Sequence, residues 1–169
     1  MWLKLDCPSF GGGHLTLFSY ASPNPADTGF SVGYQCPDGA GTASLVVTFS
    51  TNGAVLWTLH VDDSSDHFTD GAWHHLGVGA FLFNNIPMMI DCWSFLDGNF
   101  FGEGLEYGDM EFPSCPGSGG SVILGQGQSG YNTLDARPDF DYTVFMTEVR
   151  LWWGQNGVAS WEQDRWDER

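Results

Sequence analysis

Residues 43–61 read ASLVVTFS (Ala43–Ser50), then Thr51-Asn52-Gly53, then AVLWTLHV (Ala54–Val61). Asn-Gly supplies the positive φ that a tight hairpin turn needs. In the second arm Val55, Trp57, Leu59 and Val61 fall on one face at period two, and Leu56, Thr58 and His60 on the other. Two β-branched and aromatic runs joined by such a turn predict an antiparallel hairpin.

The same grammar repeats outward from this hairpin. Trp2–Asp6, Leu15–Tyr20 and Phe30–Tyr34 precede it as strands, punctuated by Ser22-Pro23-Asn24-Pro25 and by Pro37-Asp38-Gly39. Trp73–Phe83 and Met88–Phe95 form a second hairpin around Asn84-Asn85-Ile86-Pro87, and Asp97-Gly98-Asn99 makes a further turn. Residues 102–120 are broken by glycines and read as a long irregular excursion. Ser121–Gly125 and Tyr142–Trp153 complete about nine strands, the count of a sandwich or barrel. Trp161, Arg165 and Trp166 recur near helical spacing, so the tail 158–169 reads as a short C-terminal helix.

Composition agrees. Of 169 residues 15% are aromatic and 23 are glycine, which fits strands and turns better than a helical bundle or a disordered chain. The net charge of −16 opposes nucleic acid and anionic membranes as partners. No run of 18 apolar residues predicts membrane insertion. The opening Met-Trp-Leu-Lys-Leu-Asp lacks the apolar stretch of a signal peptide. Cys7, Cys36, Cys92 and Cys115 contain no C-x-x-C pair and suit two disulfides in an oxidising compartment, with three connectivities open.

Three stretches in order resemble the concanavalin A-like jelly-roll superfamily, and within it pentraxin and laminin-G-type domains. They are Leu17-Phe18-Ser19-Tyr20-Ala21-Ser22; Asp70-Gly71-Ala72-Trp73-His74-His75-Leu76-Gly77-Val78; and Val122-Ile123-Leu124-Gly125-Gln126 followed by Glu148-Val149-Arg150-Leu151-Trp152. The resemblance spans about residues 15–153 and implies a two-sheet antiparallel β-sandwich over residues 1–157, with the helical tail outside it. It places Trp73 in the core with His75 on the same face. It also implies a further strand outside Trp2–Asp6, so that this strand is expected at an unpaired sheet edge. The pentraxin disulfide is not carried over, because its second position falls near Gly77. Within a sandwich, Cys7–Cys36 and Cys92–Cys115 each join segments flanking the same strands, and these are the expected pairs.

The resemblance also implies a calcium site, of which Asp27, Gln128 and Asp135 remain; Thr28, Gly127 and Ser129 stand where the family has ligands. Calcium binding is therefore expected to be weak, if present. His74 and His75 are adjacent on a strand and point to opposite faces, so they do not share a zinc ion. Asp62–Asp70 reads as a solvated acidic loop. Asp109 and Glu111 are the only carboxylates of the 103–111 stretch at i, i+2 spacing, and glycines interrupt that stretch, so no glycosidase pair is expected. No catalytic residue is assigned.

The expectation is a non-catalytic, extracellular or cell-surface module that self-assembles as a ring, layer or fibre, or docks on a partner, with Trp161, Arg165 and Trp166 as interface residues. The alternative is recognition of a glycan or protein ligand.

Overall fold

The computed structural model describes residues 1–7, 13–24, 27, 29–37, 43–51, 54–63, 68, 70–83, 88–108, 119–134 and 143–150. They form twelve strands: β1 (Trp2–Asp6), β2 (His14–Ala21), β3 (Gly29–Gln35), β4 (Ala43–Thr51), β5 (Ala54–Asp63), β6 (His74–Phe83), β7 (Met88–Leu96), β8 (Asn99–Gly108), β9 (Ser121–Leu124), β10 (Gln128–Gly130), β11 (Thr133–Leu134) and β12 (Thr143–Thr147). The architecture is a two-sheet antiparallel β-sandwich. The first sheet runs β12-β1-β6-β7-β8 and the second β5-β4-β3-β2-β9, with β10-β11 a separate short ribbon. Hairpins build the body of each sheet. Long-range pairing closes them: β1 on β12, and β2 on β9.

Alternation decides which side of each strand is buried. Leu3, Leu5, Leu76 and Leu96 of the first sheet meet Leu15, Leu17, Val32, Tyr34, Leu45, Val47, Phe49 and Val61 of the second. Burying such a side chain contributes about 1.5–3 kcal/mol, which is why a one-residue slip in any of these strands is strongly disfavoured. Gly102 shows how close the sheets come at one margin. A Cβ there would run into the Val61 side chain of β5, so only glycine fits.

Several expectations change. β1 is not at an edge: it pairs with β12 over five residues and with β6 through Trp2↔His75 and Leu3↔His74. The C-terminal β12 supplies the outer neighbour that the resemblance assigned to a missing strand. Residues 99–108 form strand β8 instead of opening an irregular excursion, because backbone pairing with β7 outweighs the low strand propensity of glycines 102, 104 and 108. Trp73 is 48% exposed and does not lie in the core. Val55 is exposed, unlike Val61, because a register shift between Phe49 and Ser50 interrupts the alternation of the β4–β5 hairpin. β12 ends at Thr147; Glu148 and Arg150 follow it and form an exposed ion pair at 3.6 Å.

Cys7 and Cys36 are joined in a disulfide, with their Cα atoms 5.7 Å apart. Cys115, Asp135, Trp161, Arg165, Trp166 and the expected helix over 158–169 lie outside the described residues, as does the bonding state of Cys92.

Candidate functional site

The first sheet carries an aromatic outer face. Leu3, Leu5, Leu76, Leu96, Val144 and Met146 point inward, so residues of the opposite parity point away from the core. These include Trp2 of β1, His75 of β6, Trp93 and Phe95 of β7, Phe100 of β8 and Phe145 of β12, with Trp73 just before β6. The Trp2 and His75 rings meet edge-on at 5.2 Å, Phe95 and Phe100 at 5.9 Å, and Trp73 and Phe145 at 6.5 Å. Trp2, Trp73, Phe100 and Phe145 are all exposed. The row crosses five strands, a width of about 19 Å at the usual strand spacing. In its middle, Gly77 and Gly79 pair with Phe95 and Trp93 and leave a strip without side chains.

Behind this face stands a charged clamp. Asp97 and Gly98 both have positive φ, 51° and 82°, the geometry of a tight hairpin turn between β7 and β8. The turn aims the Asp97 carboxylate at the start of β6. Asp97 Oδ1 accepts the His75 backbone N–H at 2.7 Å, and Oδ2 lies 2.8 Å from His74 Nδ1. On the other side Asp70 Oδ1 lies 3.0 Å from His74 Nε2 and accepts the Ala72 N–H at 2.7 Å. A neutral imidazole has only one N–H, so both contacts are favourable only when His74 is an imidazolium.

His74 is buried, which pushes its pKa down. The hydrogen bonds and charges of Asp70 and Asp97 outweigh this and hold it above the ordinary 6.5. Burial likewise raises Asp97, but the His75 N–H and then His74 hold it below 3.8. The signs follow. The His74 contribution is complete below pH 6.5 and is lost as pH rises through its elevated folded value. The Asp97 contribution is complete above pH 3.8 and is lost as pH falls through its depressed one. The urea midpoint is therefore expected to be higher at about pH 5.5 than at about pH 9, by up to about 1 kcal/mol, since both aspartates are half-exposed and screened. The difference should vanish in His74→Gln; a midpoint that rises with pH over this range contradicts the assignment.

Asp27 and Gln128, the two calcium candidates among the described residues, make internal hydrogen bonds. Asp27 Oδ2 accepts the Ser22 hydroxyl at 2.7 Å and Oδ1 the Asn24 amide at 2.9 Å. Gln128 Oε1 accepts the Ser121 hydroxyl at 2.9 Å, while its amide nitrogen donates to Ser19 O, Ser19 Oγ and Ser121 O, each at 3.2 Å. Gln128 thus laces β2 to β9. Each of these oxygens already accepts a protein hydrogen bond, which a calcium ion would have to share or displace, in keeping with weak binding. Calcium at a concentration near Kd, which half-fills the site, would add only about 0.4 kcal/mol. The expected melting shift at micromolar calcium is below about 2 °C. A shift near 10 °C that disappears in Asp135→Ala would reverse this reading.

The acidic segment is also only partly solvated. Asp62 is exposed, but Asp63 is 1% exposed and accepts the Tyr34 hydroxyl at 2.8 Å. Asp70 and Asp97 are 27 positions apart, and only the β6–β7–β8 register brings both onto His74. Among the described residues no group of three or more His, Cys, Asp or Glu side chains is placed to hold a metal ion. No helix among them is long and apolar enough to cross a membrane. No known family, curated protein or solved structure matches the chain, and its functional reading therefore rests on the sandwich and on this face.

Proposed function

We propose that the chain is a non-catalytic, extracellular module of the pentraxin/laminin-G kind that joins copies of itself through the outer face of the first sheet. The observation that supports this most is the row of aromatic rings across all five strands, of which Trp2, Trp73, Phe100 and Phe145 are exposed. Exposed apolar patches of this kind mark interaction sites, and aromatic side chains dominate the energetics of interfaces. The chain carries −16, so copies that meet here repel one another unless salt screens them. The Cys7–Cys36 disulfide fits an oxidising, extracellular setting. β1 is paired on both sides, so it offers no open edge to a strand from another copy.

A second reading, glycan recognition, is favoured by the Gly77–Gly79 strip. The strip carries no side chains of its own and is flanked by Trp93 and Phe95, and the apolar face of a sugar ring stacks on such rings.

Light scattering against ionic strength separates the two. Salt screens the net charge, so association should strengthen between low and high salt. It should weaken at least tenfold in Trp2→Ser/Phe145→Ser, whose exposed positions leave melting unchanged within about 0.5 kcal/mol. A strictly monomeric protein at both salt levels, with a glycan bound on an array, gives the function to recognition. A monomer silent on the array refutes both.

A further inference from the structure

We propose that His74 is a pH-operated latch on the docking face: its imidazolium clamps the Asp70–Trp73 segment to the β7–β8 turn, and loss of its proton breaks that link. The latch rests on geometry alone; its consequence for association rests on the docking reading.

Two aspartates from different elements grip one ring. Asp97 belongs to the β7–β8 turn, and Asp70 opens the segment that leads into β6. When the proton leaves to solvent, one ring nitrogen keeps an N–H and the other presents a lone pair to a carboxylate oxygen, which repels it. The two arms are unequal. Asp97 is fixed by the His75 N–H on its other oxygen and lies closer, at 2.8 Å. Asp70 lies at 3.0 Å and offers His74 the same Oδ1 that already accepts the Ala72 N–H. The neutral ring therefore keeps Nδ1–H on Asp97 and releases Asp70.

What Asp70 releases is the approach to the aromatic face. Gly71 has φ +76° with open space around it, so the segment can pivot there. Trp73 follows, and its ring contact is Phe145 of β12. Among the described residues the other neighbours of His74 do not compete for its proton. Phe68 presents its ring at 5.9 Å, with Asp63 beyond it held by Tyr34. Leu3 is the β1 register partner, and the Met1 ammonium donates to the Leu76 carbonyl at 2.9 Å. His75 lies on the opposite parity and acts on the same Asp97.

The test is an NMR titration of the whole chain at a dilution where it is monomeric. The His74 ring and the Trp73 indole N–H are assigned through His74→Gln and Trp73→Phe. The two signals are expected to move together, with one midpoint above 6.5. In Asp70→Asn, which keeps an acceptor but removes the charge, the shared midpoint should fall. A Trp73 signal that stays still while His74 titrates overturns the latch, and so does a shared midpoint unmoved by Asp70→Asn. A parallel scattering series reads association against pH. Co-titration without association at any pH upholds the latch and sinks the docking reading. Association that weakens through the same midpoint, in the wild type but not in His74→Gln, upholds both.

Discussion

Phe68→Ala is expected to cost about 3–5 kcal/mol, the range for emptying a buried aromatic site. Phe68 is 1% exposed although it lies in a segment read from sequence as a solvated acidic loop. Its ring meets Tyr34 at 5.2 Å, Phe101 at 5.6 Å and His74 at 5.9 Å, all edge-on. It thus contacts residues from β3, β6 and β8 at once, spanning both sheets. Its backbone N–H also approaches Asp63 Oδ2 at 3.4 Å, the oxygen that the Tyr34 hydroxyl already occupies. Truncation would leave a void beside a buried carboxylate and a buried histidine. Water entering there would screen the His74 clamp as well. For a chain of this size the loss corresponds to a melting decrease of roughly 10 °C. Val55→Ala, at an exposed position, should stay within about 0.5 kcal/mol and serves as the control. A loss below about 1 kcal/mol in urea unfolding would mean that Phe68 does not plug the core.

Phe68 also marks where sequence reading stops. Strands with clean alternation were legible: Trp2–Asp6 is β1 residue for residue, and the Asn52-Gly53 hairpin is β4–β5. What period two cannot reveal is a lone aromatic among Asp, Ser and His that folds back under the sheet. Its burial depends on a partner, Tyr34, that is 34 positions away. Trp73 fails in the opposite direction. It begins a strand hallmark and looks like core, but the residue that turns inward is His74, because two carboxylates await it. β8 was hidden because glycine carries no hydrophobic signal, although at Gly102 the absence of a side chain is what lets β8 approach Val61. The aromatic face was visible only as a surplus of tryptophans until strand order put Phe145, Trp2, His75, Phe95 and Phe100 side by side.

Replacing both Cys7 and Cys36 by serine is expected to cost about 3–4 kcal/mol. The bond closes a loop of 29 residues, and in the chain-entropy model that loop length alone gives this figure. Its placement adds to the effect. Cys7 follows β1 of the first sheet and Cys36 follows β3 of the second, so the bond ties the two layers together at one end. Cys36 is 1% exposed, and its N–H donates to the Gly13 carbonyl at 2.8 Å, which fixes the entry to β2 from the same point. A serine hydroxyl at the depth of Cys36 would need an acceptor that a disulfide does not, and without one it costs about 1–3 kcal/mol more. The double variant should melt roughly 10 °C below the oxidised wild type. Reducing the wild type should reproduce most of that loss, and any excess over the double variant would report a contribution from Cys92 and Cys115. If the double variant melts within about 2 °C of the oxidised protein, packing between Leu3, Leu5 and the second sheet holds the layers without the bond, and the oxidising compartment loses its structural argument.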